Sequence, residues 1–261
     1  MSIVTTLDAR GVLRVTLNNP DKHNAFDDGV IAELQAAFEQ AGANPAVRAL
    51  ILAAEGKSFS AGADLSWMQR MANYSLADNR ADADKLARML HTLNSLPFPT
   101  IARVQGAAFG GAVGLVSCCD LAVASPRASF CLSEVKIGLI PATISPYVVA
   151  AMGERAARRY CLTAERFFAD TAKQLGLVSE VVDETELDST IDNLLKQLLA
   201  NSPAALSAAK QLVFDVSNRP ITQALIDDTS QRIAEIRVSD EGQEGLKAFL
   251  EKRAPRWQQE S

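Results

Sequence analysis

The chain is poor in the residues that build metal and redox centres. Among 261 residues there are two histidines and four cysteines. No cysteine pair has CxxC spacing, and Cys118, Cys119, Cys131 and Cys161 all lie in apolar stretches, the usual setting of reduced, buried thiols. His23 and His91 are too far apart for HExxH. No metal or redox cofactor is therefore expected. Basic charge is not in excess either. The 26 Lys and Arg against 31 Asp and Glu leave a net charge of −5. That balance argues against nucleic acid or an anionic membrane as partner. The longest apolar stretch, 106–119, is glycine-rich and falls short of the ~20 residues a membrane span needs. Asp8 and Arg10 interrupt the N-terminus before any signal-peptide pattern develops. A soluble, cytoplasmic protein is expected. Hydrophobic residues at 48% and charged residues at 22% exclude a wholly disordered chain.

What is present alternates. Val12 to Leu17 reads as a strand, followed by turn chemistry at Asn18-Asn19-Pro20-Asp21. Asp27 or Asp28 caps a helix reaching about Gly42. Ala49 to Ala54 is a short apolar run, as in a strand covered on both faces. One long helix is expected over about 66–95, then strands at 100–104, 121–124 and 129–132. Beyond about Pro146 helical patterning dominates, near 154–162, 164–175, 187–200, 203–216, 220–237 and 239–252. This is an α/β core, placed at 1–198, followed by a helical region at 199–261.

Several nucleotide and hydrolase motifs fail. Gly56-Lys57-Ser58 lacks the first glycine of a P-loop, since position 51 is isoleucine. Gly106, Gly110, Gly111 and Gly114 do not make GxGxxG, and no GxSxG is present.

Two loops of small residues do stand out. Phe59-Ser60-Ala61-Gly62-Ala63-Asp64-Leu65 follows one apolar strand, and Gln105 to Ala112 follows another and opens an apolar helix. Small side chains let a ligand approach the backbone, and N–H groups at a helix start are unpaired and partly positive. Two such groups facing one point would make an oxyanion hole. The same glycines would equally serve tight turns and close packing. A third element, Ser129 to Val135, leaves two readings open. If the strand period persists, Phe130, Leu132 and Glu134 share an apolar face and the carboxylate is desolvated. If the strand ends earlier, Glu134 lies in solvent or pairs with Lys136.

The order of these segments closely resembles the crotonase (enoyl-CoA hydratase/isomerase) superfamily. The resemblance includes Asn18 to Phe26, Ala172 to Val178 and Phe249 to Pro255, and covers essentially the whole chain. It implies a crotonase-like α/β spiral of ββα turns with a C-terminal helical trimerisation region, assembled as a homotrimer or hexamer. It implies an acyl-CoA thioester ligand, coenzyme A being part of the substrate. The N–H groups of Ala63 and Gly111 would hold the thioester oxygen, with Gly110 beside them. Backbone from Ala61 through Asp64, Leu65 and Ser66 would line the CoA path. Lys22 and Ala25 would meet the nucleotide end, and Phe249 and Lys252 would contact CoA, in part from a neighbouring subunit.

Glu134 falls on one of two glutamates that the usual hydratases employ; Gly114 stands where the other would be. Asp120 is expected to cap the far end of that helix rather than to replace it. One carboxylate is compatible with a hydratase, with an isomerase, and with an acyl-CoA binder that has lost catalysis. Residues 108–120, 130–149 and 153–167 are similar to bacterial hydratases of branched glutaconyl-CoA thioesters, whose pattern also carries that glycine. The expected reaction is therefore hydration of an enoyl-CoA such as 3-methylglutaconyl-CoA or isohexenylglutaconyl-CoA. Its distal carboxylate would need a cation or hydroxyl, and Arg70 is the candidate. Trp67, Met68 and Met71 are assigned to the acyl pocket or the core.

Overall fold

A computed structural model describes residues 2–258; residue 1 and residues 259–261 of the two expected regions lie outside the described residues. Strands β1 (Ile3–Leu7) and β2 (Val12–Leu17) form a hairpin followed by α1 (Asp28–Ala43). Strand β3 (Ala49–Ala54) leads to α2 (Leu65–Met71) and α3 (Leu76–Asn94). The next turn is β4 (Thr100–Val104), β5 (Ala107–Phe109) and α4 (Gly111–Cys118). It is followed by β6 (Leu121–Ala124), β7 (Ser129–Cys131), α5 (Ser145–Met152) and α6 (Glu154–Thr163). Then come β8 (Phe167–Phe168), α7 (Ala169–Gln174), β9 (Glu180–Val181) and α8 (Leu187–Leu199). Helices α9 (Pro203–Val216), α10 (Gln223–Val238) and α11 (Asp240–Glu251) follow.

Successive turns feed two sheets. One runs β1-β2-β3-β4-β6-β9 and the other β5-β7-β8. A parallel bridge between Ser60 and Ala108 brings the loop after β3 alongside the second sheet. All pairings in the larger sheet are parallel except that of β1 with β2. This is the spiral of ββα turns that the segment order implied.

The continuous apolar character of β3 has a direct cause. Leu50, Leu52 and Ala54 enter the main core, whereas Ala49, Ile51 and Ala53 enter a second core on the opposite face. Side chains alternate along a strand, so a sheet covered on both faces needs apolar residues at every position. Helix α8 covers the second face with Leu187, Ile191, Leu195 and Leu199, four residues apart and so on one side of a helix. Phe38, Phe59 and Phe130 are fully buried, each worth roughly 1.5–3 kcal/mol of transfer free energy.

Caps fix the helix ends. Asp27 accepts from Val30 N, and Ser202 from Ala205 N with Pro203 in the first turn of α9. Lys210 of α9 donates to Asp120 at 2.8 Å and to the Phe98 carbonyl at 3.3 Å, tying the last helices to the core. At the far end Glu244 pairs with Arg253 at 2.7 Å.

Several expected elements differ. The segment 66–95 is two helices, because Ser75 makes a reciprocal capping box with Asp78 and starts α3 afresh. The segment 164–175 begins with β8, since Phe167 and Phe168 pair with Phe130 and Ser129. The helix expected from 220 starts at Gln223, capped by Thr222. Asp120 caps no helix. Its Oδ2 accepts from Thr100 N, Thr100 Oγ1 and Lys210 Nζ, while Cys119 terminates α4.

Candidate active site

The two small-residue loops meet through Phe26. Phe26 N donates to the Gly62 carbonyl at 2.7 Å, and Asp64 N donates to the Phe26 carbonyl at 2.6 Å. In a parallel bridge of this kind Phe26 spends both its backbone groups on the residues flanking Ala63. The Ala63 N–H is therefore aimed at the other side, and it donates to nothing among the described residues. Gly111 is the first residue of α4, so its N–H has no partner within the helix. Both residues line one cavity of about 580 Å³.

Gly110 makes the approach possible. Its φ of +54° is a conformation that L side chains rarely adopt, and its N–H donates to the Cys131 carbonyl at 2.9 Å. A β-carbon there would stand 3.3 Å from Glu134 Oε1. At Gly111 a β-carbon would stand 3.2 Å from the Phe26 ring.

Glu134 resolves the two open readings in an unforeseen way. Strand β7 ends at Cys131, so the strand period does not carry Glu134. Glu134 instead opens a short 3-10 turn, Glu134–Ile137. Yet its carboxylate is not in solvent. It lines the same cavity, and its Oε2 is buried with no hydrogen-bond partner among the described residues. Burial raises its pKa above the ordinary carboxylate value. No ion pair with Lys136 forms among the described residues.

Elsewhere the wall is mostly apolar. Phe26, Trp67, Met71, Leu86, Leu139, Ile140 and Ile144 contribute to it. This assigns Trp67 and Met71 to the cavity as well as to the core; Met68 is not part of the lining. Gly114 lies beneath. A β-carbon on it would stand 2.3 Å from Ile144 Cγ2 and 2.8 Å from Ile144 Cβ, far inside van der Waals contact. The direction in which a second glutamate would project is filled by hydrocarbon.

Asp82 was not anticipated. It is only 8% exposed, it lines the cavity, and it accepts from Trp67 Nε1 at 3.0 Å. The two residues are fifteen positions apart on different helices, so no local sequence pattern marks the pair.

The remaining expected residues divide. Lys22 pairs with Asp64 at 3.1 Å, and this hydrogen bond is the main reason the Asp64 carboxyl is held below its usual range. Asp64 also caps α2, accepting from Ser66 N and Trp67 N. Ala61 N donates to the His23 carbonyl and Ala25 N to the Lys22 carbonyl, so both lie in the tightly folded loops around Phe26. Leu65 is exposed. Phe249 is 81% exposed near the end of α11 and Lys252 is that helix's C-cap; neither lines the cavity. Arg70 does not reach the site either. It forms an ion pair with Asp28, outside the cavity lining, so the cation assigned to a distal carboxylate is not there.

A sequence model of the enoyl-CoA hydratase/isomerase family matches residues 8–260. An enoyl-CoA hydratase from Shewanella pealeana is similar in structure, with a TM-score of 0.96 and 51% identity, covering 98% of this chain and 96% of that one. An enoyl-CoA hydratase/isomerase (crotonase) from Legionella pneumophila has a TM-score of 0.93 and 46% identity, covering 98% of each chain. In Thermus thermophilus a relative named as an enoyl-CoA hydratase is 33% identical over 93% of this chain and 96% of its own length.

Proposed function

Since the chain belongs to the enoyl-CoA hydratase/isomerase family and has the crotonase fold of an acyl-CoA enzyme of hydratase type, we propose that it adds water across the 2,3 double bond of an enoyl-CoA with Glu134 as its single acid–base group. One observation carries this reading. Glu134, whose buried Oε2 has no partner, lines one cavity with Ala63 and Gly111, whose N–H groups meet no backbone acceptor among the described residues.

In this reading the two N–H groups hold the thioester oxygen. Each stabilises the enolate more than the ground state, by on the order of 3 kcal/mol per donor. Glu134 removes a proton from water as the water oxygen bonds to C3. The electron pair of the double bond moves toward the thioester, giving the enolate. Glu134 then returns that proton to C2, and the net change is one water. A carboxyl with a raised pKa is suited to both halves of this exchange near neutral pH. Asp64 and Lys22 fix the loop along which the CoA would lie.

The finer expectation is a branched glutaconyl thioester. The apolar wall suits a branch, but the lining holds two carboxylates, Glu134 and Asp82, and no cation among the described residues. A distal carboxylate would therefore depend on neutral donors such as Thr143. A homotrimer or hexamer is the assembly we favour. Phe249 and Leu250 near the end of α11 are 81% and 78% exposed, and Val238 at the end of α10 is 75% exposed, surfaces that a second copy would cover.

Mass spectrometry of the products tests the reaction. Crotonyl-CoA, 3-methylglutaconyl-CoA and a 3-enoyl-CoA are each offered to the wild type and to Glu134→Gln. Gain of one water, lost in the variant, is the expected result. Double-bond migration without water gain would move the assignment to an isomerase. Binding without turnover of any of the three would leave an acyl-CoA binder.

A further inference from the structure

Asp82 has no place in the reaction as written, yet it is the second ionisable group on the cavity wall. A structural role explains only part of it. The Trp67 indole has one N–H to satisfy, and Asp82 Oδ2 satisfies it at 3.0 Å. A carboxylate offers about four acceptor positions and no donor. No other hydrogen bond reaches Asp82 among the described residues. Its Oδ1 has no partner among the described residues and is not among the sealed, unsatisfied atoms, so it keeps access to solvent, and the residue lines the cavity.

Its place along α3 shows what it would meet. A β-carbon on Gly114 would lie 3.5 Å from Leu90 Cδ2, so Leu90 marks the part of the helix nearest Gly114. Asp82 is eight residues earlier, about 12 Å away along the axis at 1.5 Å per residue. On the hydratase reading this places Asp82 toward the acyl tail rather than beside the attacking water, which Glu134 serves. Asn79, one turn earlier still, also lines the cavity.

We propose that Asp82 is the specificity residue for the acyl tail, accepting a hydrogen bond from a neutral, hydroxyl-bearing chain and rejecting chains that end in a carboxylate. This rests on the hydratase reading above. An acceptor buried in an apolar wall gains most from a ligand that supplies the missing donor, and like charges brought together out of water repel. Had the pocket evolved for an anionic tail, a cation would be expected where the carboxylate of Asp82 stands.

The test uses matched 2-enoyl thioesters of five and eight carbons, each ending in methyl, hydroxymethyl or carboxylate. The five-carbon set carries a 3-methyl group, so that its acid member is 3-methylglutaconyl-CoA. For the wild type kcat/KM with the hydroxyl tail should exceed that with the carboxylate by at least about tenfold at one length or both. In Asp82→Asn, which keeps an acceptor for Trp67, the gap should shrink to under about threefold. An unchanged circular dichroism spectrum and melting temperature report intact folding of the variant. Equal or better turnover of the carboxylate tail by the wild type at both lengths would overturn the proposal, as would an unchanged gap in the variant. Calorimetric binding of the saturated thioesters to the wild type separates the two readings. Discrimination without any hydration would sink the hydratase assignment and leave this one standing.

Discussion

Ile144 Cγ2 lies 2.3 Å from the position a β-carbon on Gly114 would occupy. The missing second carboxylate is thus not a gap that water fills but a packed contact. Ile144 is 2% exposed and belongs to the main core, and Gly114 is buried in α4. Gly114→Ala is expected to destabilise by about 1–3 kcal/mol through overpacking, despite the better helix propensity of alanine. Chemical denaturation checks this. With Ile144→Ala present, the same change should cost less, because the two side chains contend for one space.

Removing the proposed acid–base group should separate activity from stability. Glu134→Gln is expected to lower kcat by about 10²–10⁴, the range of general acid–base catalysis. Its buried, partnerless oxygen also opposes folding at neutral pH, so the variant should be more stable by under about 1 kcal/mol. A thermal melt beside an assay decides it. A loss of both activity and stability would mean that Glu134 holds the fold.

The pH profile carries a sign. Burial raises the Glu134 pKa above 4.5, so the base form is lost at a higher pH than for an ordinary carboxylate. The acid limb of kcat/KM should therefore turn above that value. For stability, a raised folded pKa favours the fold while the group is protonated. That contribution is fully present below about 4.5 and disappears as pH rises through the folded value. Glu134→Gln should flatten this part of the stability curve.

Glu244 behaves in the opposite sense. Its hydrogen bond from Arg253, with lesser help from Arg256 N and both guanidinium charges, holds its carboxyl down to about 2 against an ordinary 4.5. The stabilisation is present above 4.5 and is lost as pH falls toward about 2. Hydrogen exchange in acid should show the turn after α11 opening before the sheets. Arg253→Gln should produce that opening at higher pH.

The pair Trp67 and Asp82 gives a packing test independent of specificity. Trp67→Phe leaves a buried carboxylate with no donor, at a cost of about 1–3 kcal/mol. In an Asp82→Leu background the same replacement should cost less.

Local chemistry made much of the fold legible. The strand of 49–54 was visible because burial on both faces demands apolar residues at every position, and Asp27 was visible as a cap. The two loops that line the cavity are visible as small residues after strands. Family order, not strand period, points to Glu134, since β7 ends three residues earlier. What was not legible depends on contacts between distant segments. Asp82 meets Trp67 across two helices, and Ile144 fills the space above Gly114 from thirty positions away. Arg70 looked available because its partner Asp28 is forty-two residues upstream.

The spiral distributes the site among its turns. Phe26 comes from the first, Ala63 from the second, Gly111 from the third, and Glu134 follows β7 in the fourth. No two of these residues share a helix or a strand, so no single supersecondary unit contains a working fragment. Catalysis is then an all-or-none reporter of stacking. On the proposed site, a nascent or clipped chain lacking any one of the first four turns should have no partial activity to display, and a local opening between two turns should silence the enzyme before the rest of the molecule unfolds.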